Sequence, residues 1–176
     1  MRSWLIDRIP PRHRTRARYL YRALVGRLDR ELALARRELQ PGAGVLDIGA
    51  NTGLWTYAFG RTGPVDAFEP LPEPARVLQA LAATLPAVRV HQVALSSREG
   101  TSTLYVPYVD GHPHSELARF TPVDGPSDTV LVPMRTLDSF GLRNVGLMKI
   151  DVEGHELAVL EGARETIARE RPALLI

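Results

Sequence analysis

The stretch Val45-Leu46-Asp47-Ile48-Gly49-Ala50-Asn51-Thr52-Gly53 constrains the fold of this 176-residue chain more than any other. Val45 to Ile48 read as a strand buried on both faces, interrupted by a single acid, and the run that starts at Leu54 reads as a helix. Between them, glycine at 49 and at 53 lets the backbone turn sharply and come close to a ligand. The N-terminus of the following helix offers free N–H groups there. A strand, a tight glycine turn and a helix in that order predict a parallel sheet flanked by helices.

The rest of the chain from Gly44 onward keeps this texture. Short apolar runs predict strands at 44–48, 65–68, 89–93, 145–150 and 173–176, and helical spacing predicts helices at 54–60, 74–85 and 155–170. Two further strands, 102–106 and 130–134, are expected on either side of a long loop at 107–128 rich in Gly, Pro, His and Asp. Loops of that length inside a domain are usually functional lids or disordered segments. The 173–176 run is apolar throughout and reads as an interior strand, the point where a doubly wound sheet continues, so the sheet is expected to be cut short at its C-terminal end. The expected fold is α/β, with a doubly wound, mostly parallel sheet.

The segment before Gly44 differs. Leu20, Leu24, Leu28, Leu32 and Leu39 recur mostly at helical spacing among arginines, which predicts one or two amphipathic helices opened by Pro10 and Pro11 and closed by Pro41 and Gly42. The chain therefore divides into a basic helical segment, 1–41, and a ligand-binding domain, 42–176. The net charge of +2 conceals this division: eleven arginines face four acids in the first forty residues, a surplus of seven, and the remainder carries a deficit of five. Such a segment suits an anionic partner, nucleic acid or a membrane surface, or is simply a solvated helix face. The solvated face is the favoured reading, because Lys149 is the only lysine and arginine is the default cation. No apolar run approaches the roughly 20 residues of a membrane span, and arginines interrupt the N-terminal hydrophobic residues where a signal peptide would be apolar, which together read as a cytoplasmic protein. The absence of cysteine excludes disulfides, thiolate metal sites and a cysteine nucleophile.

The glycine turn has the spacing G-x-N-x-G. A dinucleotide loop, G-x-G-x-x-G, has glycine where Asn51 stands, so a pyrophosphate would lose the close backbone approach it needs, and a nicotinamide dehydrogenase is disfavoured. Asp47, beneath the turn, can orient the loop or meet a cationic ligand. Glu69 ends the second strand twenty residues after Gly49, where a carboxylate can accept both hydroxyls of a ribose. Pro70 follows as a rigid, apolar exit. Loop and acid together predict a ligand that contains adenosine. A second cluster, Met148-Lys149-Ile150-Asp151-Val152-Glu153-Gly154-His155-Glu156, lies at the carboxyl end of another strand, facing the same crevice. Glu153 and Glu156 also suit a helix N-terminus electrostatically.

With these residues in place the sequence resembles the FkbM-type methyltransferases. The likeness runs through Val45 to Gly53 with Trp55-Thr56, Ala67 to Pro70, Val93 to Ser96, Glu99-Gly100, Thr136 to Asp138, Lys149 to Glu156, and Val159 to Ala163, in the family's order. The resemblance implies a class I, Rossmann-like methyltransferase that uses S-adenosyl-L-methionine to methylate a hydroxyl of a sugar, polyketide or other small acceptor. It implies that Asp47, Gly49, Asn51 and Gly53 hold the methionine part, Glu69 the ribose and Ala94 the adenine, and that Asp151 faces the reacting centre.

Methyl transfer to a hydroxyl needs a proton acceptor. Asp151 is favoured by position, with His155, His112 and His114 as alternatives. A further alternative is Mg²⁺ held by Asp151 and Glu153. His112 and His114 lack a third ligand and read as exposed loop histidines. Two rivals to an enzyme acting on a small molecule remain: a domain that binds the cofactor without turnover, and a nucleic-acid methyltransferase. The latter is disfavoured, because the Asn/Asp-Pro-Pro-aromatic motif of base-modifying enzymes is missing.

Overall fold

The computed structural model describes residues 9–26 and 30–176. The basic segment forms two helices, α1 (Pro11–Leu24) and α2 (Arg30–Glu38). Pro10 precedes α1 and Pro11 occupies its first turn, where a missing N–H costs nothing. The chain then alternates β1 (Gly44–Ile48), α3 (Leu54–Gly60), β2 (Val65–Phe68), α4 (Pro72–Ala82) and β3 (Val88–His91). Next come β4 (Ala94–Leu95), β5 (Gly100–Val109), β6 (His112–Pro113) and β7 (Ser127–Arg135). The last elements are β8 (Val145–Ile150), α5 (Glu156–Glu161), α6 (Arg164–Glu170) and β9 (Ala173–Leu175). Among the described residues no helix is long and apolar enough to cross a membrane.

Five parallel strands form the main sheet in the order β3-β2-β1-β8-β9, with β1 central and Asp47 level with Lys149 on β8. Because side chains alternate across a strand, Val45 of β1 enters one core, and Leu46 and Ile48 the other. The first core is covered by α1 to α4 through Tyr19, Leu32, Phe59 and Leu78; the second by α5 and α6 through Val159, Ala163 and Ile167. The sheet is thus doubly wound, as the alternating texture predicts.

Four elements differ from expectation. The first is the third strand, which ends at His91. The chain then leaves the main sheet, and Ala94 and Leu95 pair with β7 instead. The second is the long loop, which is shorter than the sequence suggests because β5 and β7 form a long antiparallel pair, extended by β6 and by a bridge between Tyr105 and Arg119. This second sheet, ordered β4-β7-β5-β6, has its own core of Leu71, Ala94, Leu104, Val106, Val132 and Met134.

The third is the helix expected at 155–170, which is two helices. Gly162 lies between them, and a Cβ there would fall on the Ser96 carbonyl oxygen. The carboxylate of Asp138 then accepts the free N–H groups of Glu165 and Thr166 at 3.0 and 2.8 Å, so α6 is capped from a distant segment. The fourth is β9, which sits at the sheet's edge rather than inside it; Leu174 is 44% exposed.

Candidate active site

Parallel strands converge their carboxyl ends on one side of a sheet, and a cleft opens there between β1, β2, β4 and β8. Its cavity volume is about 100 Å³, and its mouth is open to solvent.

The glycine turn forms one wall. Gly49 has φ +73°, and a Cβ there would strike the Asp151 carbonyl, so the turn lies directly against the end of β8. Asn51 is also left-handed, with φ 47°. Its N–H donates to Glu69 Oε2 at 2.8 Å, and the N–H of Leu71 donates to Glu69 Oε1 at 2.8 Å. Glu69 is buried yet lines the cleft. Burial pushes its carboxyl up to about 7, against the pull of those two N–H donors.

Beneath the turn, Asp47 is fully buried. The Thr56 hydroxyl donates to its Oδ2 at 2.6 Å, and the Lys149 ammonium stands 3.4 Å from Oδ1, an ion pair rather than a hydrogen bond. Lys149, itself buried, donates to the Gly49 carbonyl at 3.0 Å and pairs with Asp151 Oδ2 at 3.2 Å. One amine therefore holds the strand, the turn and the acid at the end of β8 together.

On the far wall, Asp151 is exposed at the cleft mouth, and His155 is partly buried, which lowers its pKa. The His155 Nε2 lies 3.0 Å from Ser96 Oγ, and its ring meets Phe120 with centroids 4.4 Å apart. The segment after β6 closes the top, where Asn51 Nδ2 donates to Ser115 Oγ at 3.3 Å. Among the described residues, the ionisable ones lining the cleft are Glu69, Glu116, Asp151, Glu153 and His155, with no arginine or lysine.

The chain matches the family model described as Methyltransferase FkbM domain over residues 47–176, well over half its length. It belongs to the FkbM methyltransferase family. The 2-O-methyltransferase NoeI of Sinorhizobium fredii (strain NBRC 101917 / NGR234) is 29% identical over 153 residues, covering 75% of this chain and 62% of that protein. The crystal structure of methyltransferase FkbM from Methylobacillus flagellatus KT aligns with a TM-score of 0.55 at 19% identity, over 98% of this chain and 46% of that one. At such identity the second likeness speaks for the fold alone. The chain spans 62% and 46% of the lengths of these two relatives.

Of the residues the FkbM resemblance assigns to the cofactor, Gly49, Asn51, Glu69 and Ala94 line the cleft. Asp47 and Gly53 do not. Asp47 lies behind the turn, and Gly53 packs where a Cβ would press on Leu78 and Leu81. Asp151, Glu153 and His155 are together at the opposite wall. Among the described residues no three of His, Asp and Glu gather in a way that could hold a metal ion. His112 is exposed on β6, and His114 faces Glu116 at 3.1 Å.

Three contributors carry no sequence signal of their role in the site. Lys149 was visible as the only lysine, but its burial was not. Ser115 and Phe120 lie in the long loop, and only the β5–β7 pairing brings them over the cleft.

Proposed function

We propose that this chain binds S-adenosyl-L-methionine in the cleft and methylates a hydroxyl oxygen of a small-molecule or sugar acceptor. The observation that carries the reading is the charge of the walls: among the described residues, four carboxyl groups and no guanidinium or ammonium line the cleft. Such walls suit a ligand that carries a sulfonium and an amino group, and they repel a pyrophosphate. When bound, the cofactor supplies a methyl group on a good leaving group, so the protein's task is chiefly alignment.

In this reading Glu69 accepts the ribose hydroxyls through the lone pairs its two N–H donors leave free, and Ala94 with Leu71 forms the apolar seat of the adenine. Asp47 acts at one remove, fixing the turn through Lys149 and Thr56. Asp151, open to the cleft mouth, accepts the proton of the acceptor hydroxyl at a carboxylate oxygen. His155, neutral through burial, borders the acceptor beside Phe120. Support for a hydroxyl acceptor comes from the family and from the NoeI relative, a 2-O-methyltransferase.

Titration calorimetry with S-adenosylhomocysteine tests the cofactor assignment. Saturable binding by the wild-type chain, weakened about tenfold or more by Glu69→Ala, is expected. Protection of the fold by NAD but not by S-adenosylhomocysteine would overturn it. Loss of methyl transfer in Asp151→Asn, with cofactor binding intact, is the corresponding expectation for the base.

A further inference from the structure

Four described arginines of the N-terminal segment point in two directions. Arg18 and Arg36 turn inward: Arg18 donates to the Thr52 hydroxyl at 3.0 Å, and Arg36 donates to the Tyr19 hydroxyl and the Ala58 carbonyl at 3.2 and 3.1 Å. Arg12 and Arg16 turn outward. With His13 and Arg61 they rim a groove between α1 and the α3–α4 side of the molecule, whose floor includes Leu20, Leu81 and Leu85. Among the described residues no carboxylate lines this groove, and α1 contains no acid in its fourteen residues. A merely solvated face would intersperse acids among its bases.

Arg12, Arg16, Leu20 and Leu24 follow one another at i, i+4 spacing, so they form one ridge. Along it the chemistry changes from cationic to apolar: Leu20 is 49% and Leu24 86% exposed, and Val25 just beyond is 42% exposed. Apolar side chains held out beside arginines suit the boundary between headgroups and acyl chains. Nucleic acid would find cations here but no aromatic platform, since Tyr57 is buried beneath Arg61.

We propose that this ridge and groove dock the protein on an anionic phospholipid surface, with Arg12, Arg16 and Arg61 at the lipid phosphates and Leu20, Leu24 and Val25 in the interfacial layer. The proposal is independent of the methyl-transfer reading. It has a bearing on it, because the Thr15 hydroxyl and Arg18 of the same helix both bond Thr52 in the cofactor turn.

Co-sedimentation of the whole chain with vesicles is the test. Vesicles of phosphatidylcholine with about a third phosphatidylglycerol should retain the protein, pure phosphatidylcholine should not, and about 0.5 M salt should release it. The double variant Arg12→Glu/Arg16→Glu should lose at least about tenfold in affinity. Leu24→Glu should also weaken binding, and because Leu24 is exposed, its thermal melt should match wild type. Equal binding to neutral vesicles, no binding to either, or anionic binding untouched by both variants would each overturn the proposal. So would retention of polyuridylate, unchanged by Leu24→Glu, in a protein that ignores vesicles.

Discussion

Removing the Lys149 ammonium would leave the buried Asp47 carboxylate with the Thr56 hydroxyl as its side-chain donor among the described residues, inside a core that solvates charge poorly. Lys149→Met should therefore cost about 3–5 kcal/mol in urea unfolding, and adding Asp47→Asn should restore part of it. A double variant no more stable than the single one would deny the coupling. Glu69 makes a different prediction. Its carboxyl, raised to about 7 by burial, must ionise to accept ribose hydroxyls well, so S-adenosylhomocysteine should bind more tightly as pH rises through about 7. Calorimetry across that range should show the rise in wild type and its absence in Glu69→Gln; a flat wild-type profile would count against the role. Gly49, Glu69 and Asp151 were legible in the sequence because each sits at a fixed offset from a strand that is apolar enough to recognise. The partnership of Asp47 with Lys149 was not, because it exists only through the β1–β8 register.

At the level of elements, β1, β2 and β8 fall where the apolar runs put them, since strands buried on both faces leave a local trace that needs no partner to be read. The β5–β7 pair left a weaker one. Gly100 to Thr103 and Ser127 to Thr129 are polar, and they become strand through each other rather than through their own pattern. The break in the last helical stretch has no local signal either: Gly162, between α5 and α6, lies against the Ser96 carbonyl, which comes from another part of the chain. Gly162 has φ −81° and ψ 0°, a conformation alanine tolerates, and on local grounds Gly162→Ala should stabilise. Because the new Cβ would meet a backbone oxygen, the expected result is instead a loss of about 1–3 kcal/mol, measured as a lower urea midpoint. A raised midpoint would show that β4 yields to the methyl group.

Over the whole molecule, two buried acids give opposite pH dependences. Burial pushes Asp66 up, but hydrogen bonds from Arg89 and His91 hold it below its ordinary value. Its contribution to stability is present above about 3.8 and is lost as pH falls through the depressed value. Glu69, raised in the fold, contributes fully below its ordinary 4.5 and loses that contribution as pH rises through about 7. Between mildly acidic and mildly alkaline buffer Glu69 should therefore lower the melting temperature against an opposite contribution from His155, and Glu69→Gln should remove the Glu69 part of the slope in calorimetric melts. The single lysine of the chain adds one more consequence. Its amine is folded away on the central strand pair, so acylating reagents should leave Lys149 unmodified in the native protein and reach it only when β1 and β8 part. Mass spectrometry of that one modification would act as a clock for opening of the sheet, and a ligand seated in the cleft should slow it.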